Sequence, residues 1–133
     1  MEKELLNSGK ELLLKDLCAR LPYGVKCDIN DNKPYTLSSI SNDYDGTLIR
    51  FKEQKNGFNM EVYLSEVKPY LFPLSSMTEE QIEEECHLKK KLYSFDANGN
   101  VFTLQDFYNK NHIDYRGLIP MGLANDATGL NIY

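Results

Sequence analysis

Tryptophan is absent from this 133-residue chain, and cysteine is confined to Cys18, Cys27 and Cys86. An odd number of cysteines without metal-ligand spacing argues against a disulfide framework or a zinc ribbon, and suits buried thiols in a reducing compartment. Long apolar runs are missing too. Leu12-Leu13-Leu14 stands between Glu11 and Lys15, far short of the roughly 20 residues that a bilayer span needs. No membrane association is expected. The opening Met-Glu-Lys-Glu does not read as a signal peptide, so a cytoplasmic protein is expected. Basic charge is scarce: the net charge is −5. Residues 1–74 carry ten Lys/Arg against eleven Asp/Glu (−1), and residues 75–133 carry five against nine (−4). Binding nucleic acid through counterion release needs a basic face. None is visible in the sequence, so nucleic acid is disfavoured and a protein partner is easier to reconcile with the charge, although folding could still gather Lys10, Lys15, Arg20 and Lys26 on one surface.

What is present is a change of period. Up to about Leu74 apolar residues alternate in twos, and from Thr78 they follow a helical spacing. The length suits one domain, residues 1–133, with a helix over 1–22, a β-rich half over 23–74 and a helix-and-hairpin half over 75–133. Leu6, Leu13, Leu17 and Leu21 place one stripe on the first helix, with Leu14 and Cys18 beside it. Gly9 weakens the early turns, so the firm part is expected from Ser8, with Glu11 closing a capping box. Pro22-Tyr23-Gly24 ends it.

Short strands follow, around Val25–Ile29, Tyr35–Ile40, Thr47–Glu53 and Met60–Leu64, with a Lys55-Asn56-Gly57 turn before the last. A further strand over Tyr70–Leu74, between Pro69 and Pro73, is expected at an edge because proline cannot donate to a ladder. So many short strands in so few residues predict a small SH3-like barrel; an open meander on the first helix is the alternative. The fold class is therefore α+β: an N-terminal helix on an SH3-like antiparallel barrel, then a helix, a β-hairpin and short C-terminal helices. Thr78 and Gln81 form a capping box for a helix from Glu79 to about Lys91, with Met77 and Ile82 placed for a hydrophobic staple. Its glutamates come early and its lysines late, as the macrodipole favours. Asn98-Gly99 turns a hairpin, and Thr103 caps a short helix through Asn109.

The segments Lys15-Asp-Leu-Cys-Ala-Arg-Leu-Pro-Tyr-Gly-Val25, Tyr70-Leu-Phe-Pro-Leu-Ser-Ser-Met-Thr-Glu-Glu80 and Ile113-Asp-Tyr-Arg-Gly-Leu-Ile119 resemble a group of small, uncharacterised proteins encoded by gut Bacteroides genomes and their prophages or mobile elements. The resemblance implies a bacterial or phage context, and supplies no activity or site residues.

No catalytic or cofactor motif stands out, and no cofactor is expected. Cys86, His87, His112 and Asp114 are the only grouping with nucleophile or ligand types, and would have to converge to form a small hydrolase or a metal-dependent enzyme. Cys86 and His87 are adjacent on a helix and point about 100° apart. The plainer reading packs Cys86 against Ile82, leaves His87 in solvent and sets Asp114 to cap a turn. Cys18 and Cys27 read as small buried hydrophobes. Tyr115 and Arg116, in a turn bounded by Gly117, have the residue types of a binding anchor. The same turn reads more simply as structural, with Gly117 at positive φ and Arg116 paired with an acid. Tyr35, Tyr44 and Tyr63 are expected on the exposed side of the strands, where an SH3-like barrel would use aromatics for binding. A non-enzymatic protein-interaction module is the leading expectation.

Overall fold

The computed structural model describes residues 2–43, 46–52, 60–91 and 94–133. Helix α1 runs over Glu2–Arg20 and passes through both Ser8 and Gly9, so the expected start at Ser8 is corrected. Gly9 is buried against the C-terminal segment: a Cβ placed there would lie 3.5 Å from Leu123 Cδ1. Packing of this kind offsets the poor helix propensity of glycine. That separation is ordinary van der Waals contact, so alanine fits. Gly9→Ala is expected to stabilise the protein by about 0.5–1 kcal/mol, read as a higher urea midpoint at unchanged slope.

The inward positions of α1 are Leu13, Asp16, Leu17 and Arg20, all buried. They follow the i, i+3, i+4, i+7 spacing of a core-facing stripe, but two of the four are charged. Cys18 is consequently exposed rather than buried, whereas Cys27 is buried as expected. A single 3-10 turn, Leu21–Tyr23, follows, and Gly24 at φ 68° closes it in the left-handed region, which glycine adopts without strain.

Strands β1 (Lys26–Asp28), β2 (Tyr35–Asp43), β3 (Gly46–Phe51) and β4 (Glu61–Tyr63) form an antiparallel run, and β5 (Lys68–Pro73) pairs with β1. The N–H groups on the other side of β5 meet chain from the far end of the sequence. β8 (Ile113–Asp114) and β9 (Asn125–Asp126) both lie parallel to β5. The described sheet has the order β4-β3-β2-β1-β5-β8, with β9 also on β5.

Two expectations are corrected here. The sheet is mixed and is not a closed SH3-like barrel among the described residues, because β8 and β9 occupy the β5 edge that closure would use. And β5 lies inside the sheet rather than at an edge. Its prolines stand near its two ends, leaving Phe72 N–H to donate to His112 O at 2.8 Å and Leu71 O to accept from Ala127 N at 2.8 Å. The overall class, α+β, stands. Ile49 and Phe51 face inward and Arg50 outward, as the alternation predicts. The Lys55-Asn56-Gly57 turn lies outside the described residues.

A second layer holds α2 (Glu79–Lys90), a separate hairpin of β6 (Ser94–Phe95) and β7 (Val101–Phe102), and α3 (Leu104–Lys110). Both helices carry complete capping boxes, Thr78 with Gln81 and Thr103 with Asp106. Ile82 is 45% exposed while Met77 packs into the core of this layer, beside Leu88, Phe107, Tyr108 and Ile113. Cys86, expected against Ile82, is exposed. Beyond α3 the chain forms β8, turns and β9 rather than further helices, with Gly117 at φ 77° as anticipated.

Candidate functional site

Where the two layers meet, a buried carboxylate holds two arginines. Asp16 Oδ2 accepts from Arg20 Nε at 2.8 Å, and Asp16 Oδ1 accepts from Arg116 Nε at 3.1 Å. Arg20 is fully buried; its remaining nitrogens donate to Ile113 O at 2.6 Å and Tyr108 O at 3.4 Å. The guanidinium of Arg116 lies 4.6 Å from the centre of the Tyr115 ring and donates to Tyr115 Oη. Tyr115 in turn stacks on Tyr108 at 5.0 Å, and Tyr108 Oη donates to Glu85 at 2.7 Å. One chain of contacts thus ties α1 to α2 through α3 and the Tyr115–Gly117 turn. Burial, with Glu85 beside it, pushes the Tyr108 phenol well above its ordinary value, so it stays a neutral donor to that carboxylate.

The contacts of the Asp114–Gly117 turn match the structural reading of it. Arg116 does pair with an acid, Asp16, and also donates to its neighbour Tyr115 Oη, while the Tyr115 ring stacks on Tyr108. Asp114 accepts from Leu118 N at 2.8 Å and Ile119 N at 2.9 Å, capping the turn that follows it. Tyr63 is exposed (40%), whereas Tyr35 is buried (7%), its ring tilted against Phe51 and its hydroxyl hydrogen-bonded to Asp31. The expectation of an exposed Tyr35 is corrected: it points to the same face as Leu37 and takes part in the core. Tyr44 lies outside the described residues.

The grouping of Cys86, His87, His112 and Asp114 is dispersed. Cys86 and His87 are exposed on α2, and Asp114 is committed to backbone. His112 stacks on Tyr133 with ring centres 3.7 Å apart. Among the described residues no three His, Cys, Asp or Glu side chains gather as a metal-ligand set. Arg20, one of four cations that could have formed a basic face, is interior, and Lys26 Nζ donates to Ile132 O.

His112 has a consequence of its own. It sits at φ 58° with a buried Nδ1 that meets no hydrogen-bond partner among the described residues. Burial, then the nearby Arg20 and Lys26, depress its pKa to about 4. An unfolded histidine titrates near 6.5, so between those values the unfolded chain binds a proton that the folded one refuses. Stability contributed by neutral His112 is present above about pH 6.5 and lost as pH falls toward about 4. Solvent screening at this partly exposed site leaves about 1–2 kcal/mol of the effect. His112→Asn, which tolerates the left-handed conformation, is expected to flatten the fall in melting temperature between about pH 7 and about pH 5.

The hairpin carries a feature that sequence reasoning passed over. Phe95 and Val101 are directly opposite each other in the β6–β7 register, and are 63% and 58% exposed. The other face, Ser94 with Phe102, turns inward: Phe102 packs against the core of the second layer and lies 5.7 Å from Lys110 Nζ. Glu84 of α2 and Asp96 border the same small cavity as Phe95, about 170 Å³ in volume. The alternation Phe95-in-water, Phe102-in-core was the available signal, since a hairpin that merely faced solvent would set polar residues outside. No helix among the described residues is long and apolar enough to cross a membrane. No family model matches the chain, and no curated protein or solved structure matches it either.

Proposed function

We propose that the protein is a non-enzymatic protein-interaction module that works through the outer face of its β6–β7 hairpin. The observation that carries this reading is the exposed Phe95–Val101 pair on a ribbon whose opposite face already packs on the core. An apolar face on both sides of a hairpin is costly in water unless one side meets a partner. The flanking charge sets the partner's chemistry. Glu79, Glu80, Glu83 and Glu84 are exposed on α2, and Glu84 and Asp96, with Lys110 as the one cation, border the cavity beside Phe95, so acids predominate there. A protein segment that combines apolar side chains with lysine or arginine fits this surface, since complementary charge speeds encounter and fixes register. The setting is the cytoplasm of a bacterium or its mobile elements, as the sequence resemblance implies.

The test is retrieval of the tagged protein from its source cells, wild type beside the Phe95→Ser, Val101→Ser double variant. A stoichiometric protein partner held by the wild type and lost from the double variant, with unchanged melting of both, is the expected result. A partner retained undiminished by the double variant overturns this assignment of the surface.

A further inference from the structure

We propose that a groove along α1, on a surface separate from the hairpin, is a binding site for an aliphatic monocarboxylate. Its walls come from three parts of the fold. Leu13 stands on α1, Leu64 and Val67 on the segment leading into β5, and Met121 and Leu123 on the turn before β9. The volume is about 690 Å³, within the roughly 300–1,000 Å³ of small-molecule sites, which are likewise mostly apolar with a few placed polar groups. Met121 is 52% exposed at its mouth. A second depression of about 520 Å³ shares Lys10, Leu64 and Ser65 with the first and continues toward Tyr63.

Charge selects the ligand. Lys10 and Lys68 both line the groove and are exposed, and no carboxylate lines it among the described residues. Neither lysine forms an ion pair with any described residue. Elsewhere the molecule is acidic, with a net charge of −5, so two cations beside an apolar trough stand out from the surrounding field. An amphiphile with one carboxylate meets both features: its chain lies along Met121 and Leu123, over the buried Leu13, Leu64 and Val67, while its head meets the ammonium groups of the lysines. Glu11 borders only the adjoining depression, which favours an uncharged tail there. A cationic amphiphile has no counterpart in the main groove.

The probe is dodecanoate, titrated as monomer into the isotope-labelled full chain and followed by backbone amide shifts. Shifts centred on Lys10, Lys68, Met121 and Leu123 are expected. Decanoate should bind roughly four- to sixteenfold more weakly, because it is two methylenes shorter and each buried methylene strengthens binding about two- to fourfold in a partly open site. The Lys10→Glu, Lys68→Glu double variant should weaken binding at least about tenfold. Both lysines are on the surface, and an unchanged melting curve shows that the variant is folded. Dodecyltrimethylammonium should leave the groove resonances in place. The proposal is overturned if dodecanoate causes no shift up to its solubility limit, or if the cationic amphiphile binds equally well. It is also overturned if the chain binds phosphatidylglycerol vesicles while ignoring monomeric dodecanoate, which would make this face a lipid-surface contact.

Discussion

Replacing Arg20 with methionine will lower stability by about 2–4 kcal/mol, through the lost hydrogen bonds of a buried charged donor. Methionine fills the volume but has no donor. Ile113 O would lose its Nη2 bond and keep only the one from Tyr115 N, and Tyr108 O would lose its Nη1 bond; a buried carbonyl left unpaired costs about 1–3 kcal/mol. Asp16 keeps Arg116, so the carboxylate is not left alone, and the loss falls chiefly on the two carbonyls. These carbonyls belong to α3 and β8, so the variant should also loosen the second layer from α1. Chemical denaturation checks the magnitude, and hydrogen exchange at Ile113 and Tyr115 checks the location. A loss under about 1 kcal/mol would mean that water replaces the guanidinium. A double-mutant cycle with Asp16→Asn should show coupling of about 0.5–3 kcal/mol, because the two side chains share one bond.

The second large effect is expected at Phe107. Its side chain is fully buried, in contact with Tyr108 at 5.6 Å between ring centres, and it shares a small core with Leu88 and Ile113. Phe107→Ala should cost about 3–5 kcal/mol through lost transfer energy and the cavity left behind. The neighbours have little freedom to collapse into that space. Leu88 is fixed by the capped helix α2, Tyr108 by its bond to Glu85, and Ile113 by its pairing with Phe72. Thermal unfolding followed by far-ultraviolet circular dichroism measures the drop. Because Arg20 joins the two cores, a single transition at lower temperature is expected for the variant. Two separated transitions would show that the layers melt independently.

Much of the fold was legible wherever the cause was local. The capping boxes at Thr78 and Thr103 are short-range hydrogen-bond arrangements set by residues three apart, and both are present. The antiparallel strands through Tyr63 follow from alternation, which is a property of neighbours. The fate of the β5 edge was not legible, because β8 and β9 have only two residues each, too few to carry a period. That one omission turned an open mixed sheet into an expected barrel, while Pro69 and Pro73 placed β5 at an edge. The α1 stripe failed for a different reason. Asp16 and Arg20 occupy core positions and neutralise each other there, so a count of apolar residues rotated the helix and put Cys18 inside. The i, i+4 Asp–Arg spacing was the signal that could have found them. Of the candidate site residues, Arg116 was foreseen in its pairing with an acid. The exposed face of the hairpin was not legible, because which of its two apolar faces packs inward is set by contacts with the core of the second layer.

The parallel pairing of β8 and β9 with β5 also bears on how the chain is made. As a ribosome adds residues in order, β1 and β5 can pair early, but the outer edge of β5 has no partner until the segment from Ile113 to Asp126 has emerged. The pairings span from 41 residues (Phe72 to Ile113) to 55 (Tyr70 to Asn125), so the nascent chain carries an unpaired, apolar strand edge while that stretch is made, a template for association with other chains. A slower ribosome would lengthen that interval, and a chaperone that shields Tyr70, Leu71 and Phe72 would raise the yield of folded protein.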